Sequence, residues 1–257
     1  MDQPASDGAL RGRTVVVTGG TRGIGRAVAV TAAAAGADVV TLSRSPDPTV
    51  LDELASYGGR ARTLIADVTD ADAVERARDE VLAITGRVDG LVNNAGGLVA
   101  LRRPFWEYDP DEFEQVLDLN LRSAYLCSSA FSAPMRAARS GRIVNVGSDG
   151  VGAGLPDLAH YLAAKAGVVG LARGMAADLG PYGITVNTVS PGLVVTETNA
   201  PTLTDEHRRS VVARQRLGRN LVPADLAGAV VFLLTDAAAM ITGQVLQVNG
   251  GATMGAT

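Results

Sequence analysis

The chain has 257 residues, of which 47% are hydrophobic and 19% charged, and its formal net charge is −4. This composition excludes an intrinsically disordered protein, and the length is sufficient for one large α/β domain with a full core. No basic run is long enough for a nucleic-acid footprint, and no apolar run reaches the ~18 residues of a membrane span, so we expect neither partner.

Short β-branched runs alternate with longer Ala- and Leu-rich stretches along the chain. Strands are predicted at Thr14–Thr18, Asp38–Leu42, Arg62–Ala66, Gly90–Val92, Arg142–Val146, Ile184–Val189 and Val245–Val248. Helices are predicted near 23–35, 50–57, 70–85, 110–138, 157–180 and 223–235. Strands such as the one with Val15, Val16 and Val17 are continuously apolar rather than alternating, as parallel strands covered on both faces must be. The pattern predicts an α/β fold, a Rossmann-type doubly wound parallel sheet of about seven strands with helices on both faces.

No repeat, low-complexity linker or composition break divides the chain. We therefore expect a polar N-terminal tail at 1–12 and a single domain at 13–257. The segment at about 194–219 interrupts the alternation with polar, helix-like sequence after the sixth strand, where a substrate lid would lie. The single cysteine, Cys127, lies in an apolar segment. It predicts a buried, inert thiol and a reducing compartment, the cytoplasm.

A glycine-rich turn, TGGTRGIG at 18–25, follows the first strand and opens the first helix. Its glycines permit a tight turn and close approach of a pyrophosphate to the backbone. The helix N-terminus adds free amides and the positive end of the helix dipole. Between a strand and a helix, such a turn predicts a dinucleotide site more strongly than it would alone. The candidate cofactor contacts here are Gly19, Thr21, Arg22, Gly23, Ile24 and Gly25.

The tip of the second strand indicates which dinucleotide binds. An acidic residue at this place would bind the ribose 2′-hydroxyl of NAD. The tip instead reads Thr-Leu-Ser43-Arg44-Ser, with no acid before Asp47. Arg44, together with Arg22 of the glycine turn, can pair with a 2′-phosphate. We therefore expect NADP(H) rather than NAD(H), with Ser43 also at this site; a solvated loop charge is the alternative for each arginine.

Two further strand ends predict contacts with the same cofactor. Asp67 and Val68 follow the third strand, where a carboxylate can accept from the adenine amino group. Asn94, Ala95 and Gly96 follow the fourth strand, at the topological switch point where ligands bind in such sheets. The small Ala-Gly pair leaves room for a flat ring, although a purely structural turn would have the same sequence.

Four polar residues are expected to converge at the carboxyl edge of the sheet as the reacting centre. Lys165 is the only lysine among 23 Lys and Arg residues, and it lies four residues after Tyr161, on one helix face. A nearby ammonium favours phenolate and lowers a phenol pKa, so Tyr161 would exchange a proton with a carbonyl or alcohol oxygen. Ser148 would hydrogen-bond that oxygen. Lys165 would also bind the nicotinamide ribose, and Asn120 would hold a water that links Lys165 to solvent.

Together these motifs resemble the short-chain dehydrogenase/reductase family of the roughly 250-residue type, including its β-ketoacyl reductases. The matching features span 14–251 in the family's order: the TGGTRGIG turn, NNAG, Asn120, Ser148, YLAAK at 161–165 and Pro191-Gly192. The resemblance implies a nicotinamide cofactor, an Asn-Ser-Tyr-Lys tetrad and usually a homotetramer. It also implies that the Pro191, Gly192 and Val194 backbone contacts the carboxamide, and that Thr196 contacts carboxamide or phosphate.

The chain departs from the family pattern at two places. Asp149 follows Ser148 where the family more often has a Ser-Ser pair, and it either caps a loop, which we favour, or faces the substrate. Asn249 stands before the final glycine pair where the family usually has Asp, which affects a subunit contact more than the chemistry.

The expected function is hydride transfer between a nicotinamide and a ketone or secondary alcohol, with Tyr161 as acid and base. One alternative is a catalytically idle nucleotide sensor on the same fold, against which the intact Ser-Tyr-Lys set argues. The other is an enoyl reductase, in which Tyr and Lys are spaced more widely. Two histidines predict no metal site. Residues 99–108 and 194–219 could line a substrate pocket, but Phe105 and Trp106 are more often helix-packing residues.

Overall fold

A single parallel sheet carries the fold. The computed structural model describes residues 8–98, 100 and 102–254. Within them, seven parallel strands pair in the order β3-β2-β1-β4-β5-β6-β7. Their bounds are β1 Thr14–Thr18, β2 Asp38–Ser43, β3 Ala61–Ile65, β4 Gly90–Asn93, β5 Gly141–Val146, β6 Ile184–Pro191 and β7 Val245–Val248. The predicted Rossmann-type sheet is confirmed, and each strand was predicted to within two residues.

Helices cover both faces of this sheet. They are α1 Gly23–Ala34, α2 Pro48–Ala55, α3 Ala71–Thr85, α4 Pro110–Leu117, α5 Ser123–Ala138, α6 Gly150–Ala153, α7 Ala159–Leu179, α8 Asp205–Arg214 and α9 Pro223–Leu234. In the part of the chain that the structure describes, no helix combines the length and the apolarity needed to cross a bilayer.

The long helix predicted at 110–138 is interrupted. A π-helical turn, Asp118–Arg122, separates α4 from α5. Such turns concentrate at functional sites, because they change which residues point inward. The apolar residues recur with helical spacing across 110–138, so the sequence pattern does not indicate this interruption. The short helix α6 was not predicted either, since its four residues include two glycines.

The core lies in two layers, one on each face of the sheet. Val15 and Val17 of β1 pack in the layer covered by α1 and α9, while Val16 packs in the layer covered by α3, α5 and α7. Cys127 lies in the second layer, where burial raises the pKa of its thiol to about 12. The prediction of a buried, unreactive thiol is therefore confirmed.

The carboxyl ends of all seven strands meet at one edge of the sheet. The order of the strands reverses between β1 and β4, which makes this the topological switch point. The segment at 194–219 continues from β6 above this edge, and it contains α8 and a bridge between Val194 and Leu221. The tail boundary at 12 and the lid role of this segment stay predictions.

Candidate active site

The glycine turn is shaped by close backbone approaches. A Cβ on Gly25 would lie 2.2 Å from the Gly19 carbonyl oxygen, so only glycine can occupy that position. Gly19 and Gly23 both have positive φ, of 63° and 53°. The Asn94 side-chain amide donates to the carbonyls of Thr18 (2.9 Å) and Gly19 (3.2 Å). The predicted glycine turn and the segment after β4 are thus brought together, and Asn94 holds the turn in place.

The turn has the features that a pyrophosphate requires. The first amides of α1 have no carbonyl one turn earlier in the helix, and the positive end of the helix dipole lies there. Ile24 is half-buried on this first turn and packs against the core, so its side chain anchors the start of the helix. The residues present therefore suit a dinucleotide.

An acidic residue that the sequence analysis did not single out lies at the same place. The Glu197 carboxylate accepts a hydrogen bond from the Gly23 amide at 2.7 Å. A Cβ on Gly23 would lie 3.3 Å from the Thr196 methyl group, so Thr196 also lies over the turn, and its contact with carboxamide or phosphate stays a prediction. Glu197 and Gly23 are 174 residues apart in the chain, so no local pattern could have indicated the contact.

The predicted adenosine contacts cluster beyond β2. The Thr21 hydroxyl donates to the Ser43 hydroxyl at 3.4 Å, which ties the glycine turn to the strand tip. Arg22 and Arg44 are both exposed, and Arg44 is close enough to Asp67 to help lower the pKa of that carboxyl. Arg44 and Asp67 therefore lie close enough to interact, and the contacts of Arg22, Arg44 and Asp67 with a cofactor stay predictions.

Asp67 is held in a turn of its own. Its carboxylate accepts from the Thr69 amide (2.9 Å) and hydroxyl (2.7 Å), and these bonds are the main reason that its pKa lies below the usual range. Both bonds use the same oxygen, which leaves the second oxygen for a ligand. Val68 is buried beside it in the core.

Lys165 is buried in the centre of the site. Its ammonium donates to the Val146 carbonyl at 2.9 Å and lies 5.7 Å from the centroid of the Tyr161 ring. The four-residue step therefore places both side chains on one face of α7, as expected. Burial lowers the pKa of Lys165 to about 8, so the ammonium is still mostly protonated at pH 7.

The expected lowering of the Tyr161 pKa is wrong for this structure. Burial raises the pKa of the phenol, and the neighbouring Asp149 carboxylate raises it further, while a hydrogen bond with the Ser148 side chain opposes both. The ammonium of Lys165 is directed at the Val146 carbonyl, and burial penalises the phenolate. Tyr161 is consequently neutral near pH 7 and holds a proton that it can donate.

Asn120 lies in the π-helical turn and is buried. Its amide nitrogen donates to the carbonyls of Gly97 (2.9 Å) and Val116 (3.0 Å), and its oxygen accepts from the Gly97 amide (2.9 Å). A Cβ on Gly96 would meet the Asn120 oxygen at 2.8 Å and the Lys165 ammonium at 3.3 Å. Asn120 therefore fixes the loop after β4 against Lys165, and its water-holding role stays a prediction.

The segment after β6 joins the site through backbone contacts. The Asp149 amide donates to the Pro191 carbonyl at 2.9 Å, and the Gly192 amide donates to the Val248 carbonyl at 3.1 Å. These bonds place the predicted carboxamide-binding segment beside Ser148. Ala95, in the loop after β4, is held against the end of β1, because its amide donates to the Thr18 hydroxyl at 2.9 Å.

The favoured interpretation of Asp149 as a capping residue is wrong. It is the N-cap of α6, but its side chain makes no capping hydrogen bond. The carboxylate is half-buried, and burial raises its pKa, partly offset by the Asn249 side chain and by Arg214 of α8. Asp149 is therefore next to Ser148 in the chain, and its carboxylate is influenced by Arg214 of the segment predicted to form a lid.

The structure describes only part of the segment 99–108, which was predicted to line a substrate pocket. Val99 and Leu101 lie outside the described residues. Phe105 and Trp106 contact each other edge to face, with ring centroids 5.3 Å apart, and are 66% and 72% exposed. The expectation that they pack helices is therefore wrong. Tyr108 stacks on buried His160 at 4.2 Å, and this contact supports the start of α7.

Comparison with known proteins agrees with this geometry. A family profile described as Enoyl-(Acyl carrier protein) reductase matches residues 19–253. The 3-oxoacyl-(acyl-carrier-protein) reductase FabG of Haemophilus influenzae is 37% identical over 243 residues, which cover 94% of this chain and 98% of the relative.

Solved structures resemble the chain over nearly its whole length. A short-chain type dehydrogenase/reductase from Mycobacterium ulcerans superimposes with a TM-score of 0.91 at 32% identity, covering 95% of this chain and 90% of that one. Levodione reductase superimposes with a TM-score of 0.90 at 32% identity, covering 94% of this chain and 98% of the other.

Proposed function

The chain belongs to the short-chain dehydrogenase/reductase family, and on that basis we propose that it is an NADP(H)-dependent ketoreductase that interconverts a ketone and a secondary alcohol. The observation that carries the proposal is the joint placement of Ser148, Tyr161 and Lys165 at the carboxyl edge of the sheet, beside the glycine turn. A relative 37% identical over almost the whole chain is named as a reductase of a 3-oxoacyl group, which is a ketone.

Tyr161 supplies the proton in this proposal. The bound nicotinamide would supply the hydride. Because Tyr161 is neutral near pH 7, its phenol can donate to a carbonyl oxygen that gains negative charge, and in the reverse direction it accepts the proton of an alcohol. The Ser148 hydroxyl lies beside the phenol, where it can hydrogen-bond the same oxygen and hold it in place.

Lys165 stabilises the phenolate that forms when Tyr161 gives up its proton. The ammonium already lies 5.7 Å from the phenol ring, buried where its field is little screened by water. Its remaining N–H groups can bind the nicotinamide ribose. Asn120 holds the Gly97 backbone by two hydrogen bonds. These bonds keep the loop after β4 out of the space that the ribose requires.

NADP(H) is the proposed cofactor, on the basis of charge at the adenosine end. Arg44 and Arg22 are exposed there, and the tip of β2 carries no acid that would bind a ribose 2′-hydroxyl. A guanidinium can bind a 2′-phosphate by two parallel hydrogen bonds. Ser43 and Thr21 lie on the same side and can add hydroxyl contacts.

Replacing Arg44 by Asp is expected to lower the preference for NADPH over NADH by about tenfold to a hundredfold, because a charge-assisted contact contributes about 1.5–3 kcal/mol. The measurement is kcat/KM for both cofactors with one ketone. Arg76→Asp, at an exposed position on α3, is the control for the change in charge. A wild-type enzyme that binds NAD tenfold more tightly than NADP would contradict the assignment.

The wild-type enzyme is expected to oxidise NADPH when given aryl ketones, and not when given an enoyl thioester such as crotonyl-pantetheine. The loss of absorbance at the nicotinamide band measures both. The four-residue Tyr–Lys step favours carbonyl over enoyl reduction, despite the name of the matching profile. Hydride transfer to the C=C substrate alone would reverse this ranking.

A homotetramer in the cytoplasm is the proposed form of the enzyme. β7 is an edge strand of the sheet, and the surface around it carries exposed apolar side chains from Phe232, Met240 and Leu246. An exposed edge strand with apolar neighbours is typical of a surface covered by a second subunit.

A further inference from the structure

We propose that Glu197 competes with the pyrophosphate of the cofactor for the start of α1, so that binding of the dinucleotide displaces its carboxylate and detaches the segment 194–200 from the glycine turn. The inference rests on the proposed dinucleotide site and adds a regulation of it, since the chain carries its own competitor for the cofactor. The Glu197 carboxylate accepts from the Gly23 amide at 2.7 Å, although the two residues are 174 positions apart.

The start of α1 has no anionic or capping side chain of its own. Its N-cap residue, Arg22, makes no side-chain capping hydrogen bond, and its first turn contains no acidic residue. The amides of a first helical turn lack acceptors within the helix and lie at the positive end of the helix dipole. Glu197 therefore supplies, from another βα unit, the negative charge that this helix start attracts.

A pyrophosphate at the turn requires the same group. Phosphates bind helix N-termini through the N–H groups of the first turn. The Gly23 amide has one hydrogen, which it already donates to the carboxylate. A carboxylate and a phosphate side by side would also repel each other. Glu197 is exposed, so its carboxylate can move out into water when a phosphate takes its place.

The segment that carries Glu197 is held together by its own hydrogen bonds. The Asn199 side-chain oxygen accepts from the Thr196 amide (2.9 Å), and its side-chain nitrogen donates to the Val194 carbonyl (2.8 Å). The Ala200 amide donates to the Thr196 carbonyl at 2.9 Å. These bonds make the segment a compact unit, so displacement of the carboxylate moves more than one side chain.

Both ends of this unit are connected to neighbouring elements. The Arg208 guanidinium of α8 donates to the Ala200 carbonyl at 2.7 Å. At the other end, the Val195 amide donates to the Leu221 carbonyl at 2.8 Å. The contact between Glu197 and Gly23 therefore ties the glycine turn to the chain that leads into α8.

The test measures the dissociation constant of NADPH by fluorescence titration for wild type, Glu197→Ala and Glu197→Gln. We expect Glu197→Ala to bind NADPH about threefold to tenfold more tightly, because no carboxylate has to leave the Gly23 amide. Glu197→Gln should show a smaller gain, since its amide oxygen can still accept from Gly23 but without a charge. A residue that only supported the site would weaken binding when removed, so a gain is specific to a competitor.

Thermal midpoints supply a second readout, which does not depend on turnover. The contact with Gly23 stabilises only the protein that has not bound the cofactor. Glu197→Ala should therefore lower the midpoint measured without NADPH and leave the midpoint at saturating NADPH unchanged.

Glu206→Gln is the matched control for the change in charge. Glu206 is exposed on the first turn of α8, so the substitution removes the same charge from the same 194–219 segment. Its dissociation constant for NADPH should equal that of wild type. Adenosine 2′-monophosphate, measured by its displacement of NADPH, has no phosphate for the glycine turn and should bind Glu197→Ala and wild type equally.

Four outcomes would overturn the inference and leave the proposed function intact. They are unchanged or weaker NADPH binding by Glu197→Ala, an equal gain in Glu206→Gln, an equal gain for adenosine 2′-monophosphate, and a lower midpoint of Glu197→Ala at saturating NADPH. The last would show that the carboxylate keeps its contact in the complex. If wild type bound neither NADPH nor NADH, the proposed dinucleotide site itself would fail, and the competition with it.

Discussion

Tyr161→Phe is expected to lower kcat for ketone reduction by about 10²- to 10⁴-fold while leaving NADPH binding intact. The substitution removes the only atom through which Tyr161 can pass a proton, and it keeps the ring that packs beside Lys165. Because the phenol is neutral near pH 7, the lost group is a proton donor ready for use. The measurements are turnover by NADPH absorbance and cofactor affinity by fluorescence titration.

Tyr125→Phe provides the control for this experiment. Tyr125 is exposed on α5 and has no part in the proposed chemistry, so the same chemical change there should leave turnover unaltered. Unchanged turnover in Tyr161→Phe would remove the catalytic assignment. It would also favour the alternative of a nucleotide sensor, which has no use for an acid and base.

Lys165→Arg is expected to lower kcat/KM by about 10²-fold or more, although the positive charge is preserved. The ammonium is buried, donates to the Val146 carbonyl, and lies near Gly96, where an added Cβ would be only 3.3 Å from it. A planar guanidinium is too broad for this space and cannot reproduce the point charge. Forcing it in costs about 1–3 kcal/mol of stability as well.

Lys165→Met separates loss of charge from overpacking. It is close to lysine in length and uncharged, and it should fold with a thermal midpoint near that of wild type while losing activity to a similar extent. Arg173→Gln, an exposed change on the same helix, should leave turnover unaltered. Lys165→Arg activity within threefold of wild type would show that the site needs a cation but not an ammonium.

The sequence was sufficient for the sheet because parallel strands that are buried on both faces are encoded locally. Val15, Val16 and Val17 form an unbroken apolar, β-branched run that is buried on both faces of the sheet. The end of α7 was also predictable from local sequence. Pro181 cannot continue a helix, and Gly183 adopts the left-handed backbone conformation that follows a helix end. Local propensity and burial agree at these positions.

The π-helical turn was not predictable, because its cause is tertiary. Asn120 is buried by contacts with Gly97, which lies 23 residues earlier. The apolar pattern on either side is the same as in a continuous helix. Glu197 was missed on similar grounds, since its partner Gly23 belongs to another βα unit.

Electrostatics was the least predictable part of the site. Spacing placed Tyr161 and Lys165 on one helix face, but the sign of the Tyr161 pKa shift depends on burial and on Asp149, which the spacing does not report. Asp149 itself was assigned to a cap from its position in a loop, and only its missing capping bond and its neighbours Arg214 and Asn249 revealed a different environment.

The sequence by itself therefore determined the family, the sheet and the residue types of the reacting centre, because short-range patterns specify strands, turns and helix faces. The tertiary structure alone decided how those groups are charged and which partners they have. Burial and contacts between distant segments set the protonation of Tyr161 and Lys165 and the surroundings of Asp149. These depend on the packing of the whole sheet edge, which no local window of residues contains.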